Sequence, residues 1–203
     1  MEPRLSLAVD MLFPMPVLLS ALRELSERFP LLALHLRTEA LGAVTQLVLD
    51  GTCQLGIGVD LDGASRDVVS VPLMSIEMVQ VVAASHALAG LGRLLEPEDV
   101  RDEVQIVVTD RSSLTAGKDL GVFSDRTWRV ADLDAKREMI LAGFGWGSMP
   151  RHRVAADLEA GALAPLTLRG VDPSEHRVAL HAIHRVAEPP GPAGRWLLER
   201  LGR

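Results

Sequence analysis

The residues best suited to chemistry in this sequence are acidic side chains that follow predicted strands. Asp10 closes the stretch "RLSLAV", Glu39 comes directly after "LALHLRT", and Asp60 follows "LGIGV". A carboxylate held in a cleft can serve as a general acid or base if its surroundings shift its pKa. These three residues are therefore the candidate catalytic groups of an enzyme, and equally candidate contacts for a bound molecule.

A glycine-rich stretch, "LAGFGWGSMPRH" (141–152), also suggests chemistry, because spaced glycines can cradle a nucleotide. A dinucleotide site needs its glycines directly after a strand. Here they follow a predicted helix over 132–142, and Ser148 stands where the third glycine or alanine belongs. Gly143 is instead predicted to end that helix, and a short buried strand is predicted to follow and to end at Pro150.

Other patterns that would indicate a phosphate, metal or nucleophile site are incomplete. In "TAGKD" an aspartate follows the lysine where Ser or Thr is required. The histidines give no pair at a metal-ligand spacing beside a carboxylate, and His181 and His184 point to opposite faces of a predicted strand. Cys53 is the only cysteine, which excludes an internal disulfide and predicts a small buried apolar side chain. We expect no metal and no other cofactor, while a Ser-His-Asp triad assembled in space stays open.

The totals describe a globular chain that is too acidic to bind nucleic acid by itself. Its 203 residues are 48% hydrophobic, enough for one sizeable domain or two small lobes. With 21 basic against 27 acidic side chains the net charge is -6, and such a surface repels phosphate backbones. There is no secretory signal and no uninterrupted apolar run of about 18 residues, so we expect a cytoplasmic protein without a membrane span.

The elements that would position these residues alternate between strands and helices. The first half is predicted to contain a strand over 4–9, a helix over 16–29, a strand over 32–38, a helix ending at Gly51 and a strand over 55–59. The second half is predicted to contain two apolar segments over 68–73 and 78–84, strands over 104–110, 126–130 and 177–185, helices over 132–142 and 151–160, and a closing helix. Short connections in this order predict an α/β fold with parallel strands, in two halves.

Three stretches of the chain resemble the effector-binding domain of LysR-type transcriptional regulators. The opening from "LSLAVDMLFPMPVLL" to "DGTCQLGIG" is similar to the start of that domain. "VQVVAASHALAG" resembles its hinge strand and His-Pro-Leu segment, with Ala87 in place of the proline. "VADLDAKREMILAGFGWGSMPRHRVAADLEAGAL" is similar to its late helix, Gly-x-Gly strand, proline, helix and Gly-x-Leu. The three stretches occur in the family's order and cover nearly the whole chain.

This resemblance implies a two-lobed α/β fold of the type 2 periplasmic-binding-protein class, with two Rossmann-like subdomains joined by crossover strands. Residues 1–80 and 181–203 would form regulatory subdomain I, and residues 81–180 would form subdomain II. The family's winged helix-turn-helix would precede Met1 and lie outside this chain. The implied function is to sense a small-molecule effector in the cleft between the lobes. The signal would pass through a homodimer or tetramer to the DNA-binding domain, which alone would contact DNA.

The expected effector contacts lie beyond the carboxyl ends of strands, near helix N-termini, where ligands of open α/β sheets bind. The resemblance points to the same loops. The candidates are Asp10, Met11, Leu12, Phe13, Thr38, Glu39, Val59, Asp60, Thr109, Ser112, Ser113, Val130, Ala131 and Trp146. Each could equally have only a loop or capping role, and Asp132 is expected to cap a helix rather than to contact a ligand.

Asp10 sets this chain apart from family members that bind carboxylates, which often place Ser or Thr in the loop after the first strand. The loop here is "DMLF", and Asp10 would repel an anion unless a nearby Arg or Lys compensated. We therefore expect an effector with substantial apolar or aromatic surface, neutral or cationic where it faces Asp10. A second departure, Gln54 in place of the family's Asp, is expected to have only a structural consequence.

The helix over 16–29 and the adjacent strand belong, in the family, to an antiparallel dimer interface between opposite lobes. Leu18, Leu22 and Leu25 repeat at helical spacing and are expected in the core. The candidates for the interface lie on the other face of the helix and are Leu19, Arg23 and Ser26.

Two alternatives to a sensing domain without catalysis stay open. A free-standing solute-binding protein that feeds a transporter would need a signal sequence upstream of Met1. An enzyme on the same fold would need a strongly perturbed acid or base among Asp10, Glu39 and Asp60.

Overall fold

The computed structural model describes residues 3–60, 66–117, 120–171 and 176–202. The chain divides into two compact units. Unit 1 comprises Met1–Ser75, Asp110–Ala116 and Ala179–Arg203, and unit 2 comprises Ile76–Thr109 and Gly117–Val178. In chain order the elements are β1 (Arg4–Asp10), α1 (Met15–Arg28), β2 (Ala33–Glu39), α2 (Gly42–Leu49), β3 (Leu55–Val59), β4 (Val68–Ala83), a short 3-10 helix (Ala87–Leu91), α3 (Pro97–Arg101), β5 (Val104–Val108), β6 (Arg126–Val130), α4 (Leu133–Leu141), β7 (Trp146–Pro150), α5 (Arg151–Glu159), β8 (Leu163–Leu166), β9 (Arg177–Arg185) and α6 (Pro192–Leu201).

The strands of unit 1 lie in the order β2, β1, β3, β9. β1 is parallel to β2 and β3, because α1 and α2 each return the chain to the same end of the sheet, whereas β9 is antiparallel to β3. The register pairs Asp10 with Glu39 and Val9 with Ile57. The carboxyl ends of β1, β2 and β3 therefore meet at one edge of the sheet.

Helices cover both faces of this sheet, so β1 is buried on both sides. Ala8 packs with Val44 and Val48 of α2 on one face. On the other face Leu5 lies under α6, which in turn contacts α1. Burying a leucine side chain stabilises a fold by about 1.5–3 kcal/mol relative to leaving it in water, and this explains why "LSLAV" reads as a nearly continuous apolar run.

The strands of unit 2 lie in the order β8, β4, β7, β5, β6. β4 is antiparallel to β7 and β8, and β5 is parallel to β6 and β7. One face of this sheet packs around the fully buried Trp146, with Val82, Leu95 and Val100. The opposite face is covered by α4, whose Ile140 lies against Gly147.

The glycine-rich stretch has the predicted structure. Gly143 ends α4 with a φ of 79°, a conformation that favours glycine, and its N–H donates to the carbonyl of Ile140. Gly145 is needed for a close approach, because a Cβ there would collide with the backbone carbonyl of Val104. The stretch is a packing motif, and its strand β7 ends at Pro150 as predicted.

Two strands differ from the sequence prediction. The segments predicted over 68–73 and 78–84 form one strand of 16 residues, β4, which passes through an exposed Pro72. β8 was not predicted, because its four residues, "LAPL", include Pro165 and are too few for a periodic signal. Proline is tolerated at exposed strand positions, where its missing N–H leaves no hydrogen bond unmade.

Cys53 is 1% exposed, which confirms the prediction of a buried apolar side chain. Gln54 forms hydrogen bonds with Ser6 in both directions, so its predicted structural role is confirmed as well. Within the described residues no helix is both long and apolar enough to cross a membrane. The same residues contain no cluster of three or more side chains that could hold a metal ion.

Candidate functional site

Asp10 lies buried at the carboxyl end of β1 and holds the backbone directly before helix α2. Its Oδ1 accepts a hydrogen bond from the N–H of Leu12 at 2.9 Å, and its Oδ2 accepts one from the N–H of Leu41 at 2.8 Å. Burial raises the pKa of Asp10 from 3.8 to about 6, against the lowering effect of these two bonds, and the nearby charge of Asp110 raises it as well. The carboxylate is therefore held by backbone donors but titrates near neutral pH.

Asp110, from the loop after β5, caps the same helix. Its Oδ2 accepts hydrogen bonds from the N–H of Gly42 at 3.0 Å, the hydroxyl of Ser112 at 2.9 Å and the hydroxyl of Thr115 at 2.5 Å. Its Oδ1 accepts from the N–H of Ser112 at 2.9 Å. Two carboxylates from different loops thus accept from adjacent backbone N–H groups, that of Leu41, which precedes α2, and that of Gly42, the first residue of α2.

The backbone between β2 and α2 is shaped for this convergence. Leu41 has a φ of 51°, and among the described residues it is the one non-glycine residue with a positive φ. Such conformations cost on the order of 1–3 kcal/mol and cluster at functional sites. At Gly42 a Cβ would lie 2.5 Å from the Ser112 hydroxyl and 2.7 Å from Asp110 Oδ2, so a larger residue would push the carboxylate away.

The charges around α2 decide which ligand the site can accept. A free helix N-terminus binds anions through its N–H groups and its dipole. Here the N–H groups of Leu41 and Gly42 already donate to carboxylates. The neighbouring cation, Arg111, is engaged by Glu39 at 2.7 Å. This arrangement favours a neutral or cationic group over an anion.

The predicted residues around this centre occupy one edge of unit 1. The N–H of Met11 donates to the carbonyl of Glu39 at 2.9 Å, and Thr38 is exposed beside it. Met11 and Leu12 are half-buried, while Phe13 is 3% exposed and belongs to the core. The loops after β1 and β2 therefore present apolar and polar groups together.

Val59 and Asp60 lie at the end of β3, beside Ser70 of β4 and His181 of β9. The Ser70 hydroxyl donates to Asp60 Oδ2 at 2.8 Å and lies 3.0 Å from His181 Nδ1. In a catalytic triad the histidine bridges the serine and the acid through its two ring nitrogens, whereas here Ser70 and Asp60 both lie on the Nδ1 side of His181 and contact each other directly. This cluster therefore has the composition of a catalytic triad without its connectivity.

The remaining predicted contacts belong to unit 2 or to its boundary. The N–H of Thr109 donates to the carbonyl of Val130 at 2.8 Å. Ala131 is exposed, and Asp132 accepts from the N–H of Ala135 at 2.7 Å, which confirms it as the cap of α4. Trp146 is 0% exposed, so in this structure it is a core residue and its contact with an effector stays a prediction.

Sequence reasoning named Ser112 and Ser113 but missed Asp110, the acid they stand beside. The available signal was its position, because Asp110 comes just after β5 and Asp10 stands at the end of β1. Its spacing to Ser112 is also that of a turn in which an aspartate accepts from the N–H two residues later. The contact of Gly42 with Asp110 carried no signal, since it depends on a loop that is distant in sequence.

Helix α1 separates a buried face from an exposed one. Leu18 is 0% and Leu25 2% exposed, as predicted, while Leu22 is half-buried. Leu19 is 57% exposed, and Arg23 and Ser26 are exposed on the same side. These three residues are available to a partner.

The sequence of this chain is similar to a known protein family and to one of its curated members. A family model described as the LysR substrate binding domain matches residues 1–203. The chain is 28% identical over 128 residues to the HTH-type transcriptional regulator AceR of Acinetobacter baumannii, covering 63% of this chain and 42% of that protein. The matched stretch thus spans less than half the length of this curated relative.

Solved structures show the same fold. The effector binding domain of QuiR in complex with shikimate superposes with a TM-score of 0.77 at 16% identity, covering 100% of this chain and 97% of that one. The C-terminal domain of a probable LysR family regulator from Rhodococcus gives 0.76 at 19% identity, covering 100% of both chains. The regulatory domain of Synechocystis CcmR in complex with 2-PG gives 0.76 at 18% identity, with coverage of 98% and 95%. The predicted α/β fold of the type 2 periplasmic-binding class is confirmed.

Proposed function

Since this chain belongs to the LysR substrate binding domain family, we propose that it binds a small-molecule effector at the edge of unit 1 formed by the loops after β1, β2 and β5. The observation that carries the proposal is the convergence of Asp10 and Asp110 on the N–H groups of Leu41 and Gly42. Three loops distant in sequence meet there around a strained backbone. Asp110 alone would satisfy the N–H of Gly42 at the start of α2, and Asp10 additionally fixes the preceding residue, Leu41.

The effector we propose is neutral or cationic where it faces these acids, with an apolar or aromatic body. The acidic pair and the engaged Arg111 support the polar part of this specificity. The half-buried Met11 and Leu12 support the apolar part. A small dicarboxylate would meet two negative charges and no free cation among these residues, which costs binding energy.

The test is a calorimetric titration of the purified domain with two panels, one of neutral or cationic aromatic compounds and one of small dicarboxylates. We expect saturable binding from the first panel alone. Thr38→Tyr should weaken it by about tenfold or more, because a bulky ring at the exposed loop obstructs the site. The control is Thr52→Tyr, exposed beyond the other end of α2, which should leave affinity unchanged. Tight binding of a dicarboxylate would overturn the proposed specificity.

We propose further that the whole protein is a transcriptional regulator, in which a DNA-binding domain outside this chain contacts DNA and homodimers or tetramers form. The relationship to AceR, an HTH-type regulator that extends well beyond the 128 matched residues, supports this. We place it in the cytoplasm, where such a regulator acts, and assign it no catalysis. An immunoblot of native cells should give a cytoplasmic band clearly heavier than 21.9 kDa. A cytoplasmic band at that mass would contradict the regulator, and an exported one would favour a solute-binding protein.

A further inference from the structure

An open cleft of about 650 Å³ in unit 1 lies between the end of α1 and one face of α6. Its lining residues are Arg28, Phe29, Pro192, Arg195, Trp196 and Glu199. The four that belong to α6 recur at intervals of three or four positions, which places them on one face of that helix. Because α1 ends just before β2 begins, the cleft lies at the amino edge of the sheet, opposite the loops proposed to bind the effector.

The floor of the cleft is aromatic. The rings of Phe29 and Trp196 are half-buried, with ring centres 6.3 Å apart and planes inclined by 67°. This edge-to-face contact holds the two rings in place, and both still line the cleft. A flat apolar ring can therefore pack against them and remove their exposed carbon atoms from water.

Unpaired positive charge surrounds this floor. Arg28 is exposed and has neither a hydrogen bond nor an ion pair with any described residue. Arg195 is exposed too, donates from Nη1 to the Pro190 carbonyl at 3.3 Å, and forms no ion pair within the part of the chain that the structure describes. Helix α6 begins at Pro192 without an acidic residue in its first turn, so the positive end of its dipole adds to this potential. The cleft therefore favours an anionic group.

Glu199 limits this preference without cancelling it. It stands four positions after Arg195, a spacing at which a carboxylate can approach a guanidinium group, so its charge competes with a bound anion. Glu24 of α1 pairs with Arg200 at 2.6 Å, and these two charges offset each other. The residues that line the cleft therefore keep an excess of positive charge.

We propose that this cleft is a second binding site, which takes a small planar aromatic carboxylate. The ring packs on Phe29 and Trp196, and the carboxylate accepts hydrogen bonds from Arg28 and Arg195, whose planar guanidinium groups match its geometry. Both halves of the ligand are needed, because an exposed ion pair alone contributes little affinity. The site uses none of the effector loops, whose acidic pair would repel the same ligand.

The cleft is also separate from the face of α1 that we expect to associate. Leu19 and Arg28 are nine positions apart, which is about two and a half turns and places them on opposite sides of the helix. A ligand in the cleft therefore leaves Leu19 accessible to a partner.

The experiment is a nuclear magnetic resonance titration of the ¹⁵N-labelled domain with 2-naphthoate, following the indole N–H signals of the three tryptophans. We expect the Trp196 signal to shift saturably, with half-saturation at about 1 mM or below. Trp128 is the matched control, because it is 44% exposed and also packs against a phenylalanine, Phe144, with ring centres 5.6 Å apart. Its signal should stay in place, as should that of the enclosed Trp146.

Variants at exposed positions test the contribution of charge. Arg28→Gln and Arg195→Gln should each weaken binding by about twofold to fivefold, and Glu199→Gln should strengthen it by a similar factor. The control is Arg126→Gln, at an exposed position of unit 2, which should leave the affinity unchanged.

Two further compounds separate the halves of the ligand. The uncharged 2-naphthamide keeps the rings without the carboxylate, and cyclohexanecarboxylate keeps the charge without a flat ring, so each should bind about fivefold more weakly or worse. The proposal is overturned if the Trp196 signal does not saturate, if the Trp128 signal moves in parallel with it, or if 2-naphthamide binds as tightly as 2-naphthoate.

Discussion

At the scale of single residues, two buried ionisable groups set how stability depends on pH. Asp10 is a carboxylate whose pKa is raised to about 6, and Lys136 is an amine whose pKa burial lowers to about 8. Both shifts disfavour the charged form, so each group opposes folding when it is ionised. The two effects have opposite directions along the pH scale and can be measured separately.

For Asp10 the folded protein holds a proton that the unfolded chain releases between about pH 4 and pH 6, so its contribution to stability falls as the pH rises through this range. Asp10→Asn removes this titration. We measure the free energy of unfolding of both proteins in guanidinium chloride at pH 4.5 and at pH 7.5. The value for the variant minus the value for the wild type should be about 2 kcal/mol larger at pH 7.5 than at pH 4.5. The control is Asp125→Asn at an exposed position, whose difference from the wild type should stay constant. A constant difference for Asp10→Asn would show that Asp10 does not titrate in this range.

For Lys136 the pH dependence has the opposite sign: its contribution to stability increases as the pH rises. The side chain is 6% exposed, its Cε packs near Gly147, and no hydrogen bond or ion pair to a described residue holds its ammonium group. The unfolded chain binds the proton more tightly between about pH 8 and pH 10.5, so stability rises with pH in that window. Lys136→Met should raise the free energy of unfolding at pH 7 by up to about 3 kcal/mol, and less at pH 10. The control is Arg126→Met at an exposed position, which should not raise the free energy of unfolding in this way. If Lys136→Met instead destabilises the protein, the ammonium group has a partner in solution.

At the scale of elements, a close backbone approach at Gly145 lets strands β5 and β7 of unit 2 pair. Gly145→Ala would place a methyl group on the carbonyl of Val104, at the point where β7 begins beside β5. We expect a loss of about 1–3 kcal/mol or more, since over-packing forces the strands apart. Gly90→Ala has nothing within 4 Å and should change stability by about 0.5 kcal/mol or less. Thermal unfolding of both variants checks this, and equal melting temperatures would contradict the steric role of Gly145.

Some secondary-structure elements and contacts could be predicted from the sequence, and others could not. Strands such as β3 and β9 were predicted with their observed bounds, because their apolar residues are local and flanked by breakers. Predicting β8, or the pairing of Gln80 with Ser148, requires strand partners that are distant in the chain. Lys136 lies in "LDAKREMIL", where a lysine on a helix reads as solvated, and only the packing of α4 on Gly147 reveals its burial.

The candidate site likewise contains parts that could be predicted from the sequence and parts that could not. The loops after β1 and β2 were predicted because every parallel strand ends at the same edge of its sheet. The convergence on α2 was not, since it joins Asp10 to Leu41 and Asp110 to Gly42 across 31 and 68 residues of chain. A residue type indicates what a group can do, and long-range contacts decide whether it is free to do it.

At the scale of the whole molecule, the exposed face of α1 is the expected place of self-association. Leu19 is 57% exposed, and a charge placed at an apolar contact of an interface costs about 1 kcal/mol or more, on the order of fivefold to tenfold in affinity. Leu19→Lys should therefore weaken dimerisation by about that factor in sedimentation equilibrium. The control is Leu91→Lys, which is 43% exposed in the 3-10 helix of unit 2 and should leave the association constant unchanged. An unchanged constant for Leu19→Lys would remove α1 from the interface.

The positions of the tryptophans give this protein a built-in optical label for each unit. The chain contains three tryptophans and no tyrosine. Trp196 lies on α6 against Phe29, with ring centres 6.3 Å apart, and Trp146 is enclosed in the core of unit 2. Trp128 is 44% exposed, so replacing it with phenylalanine leaves one indole emitter in each unit, in environments of different polarity. Light emission from that single variant would report, without any added dye, which unit melts first and which one responds when a ligand is added.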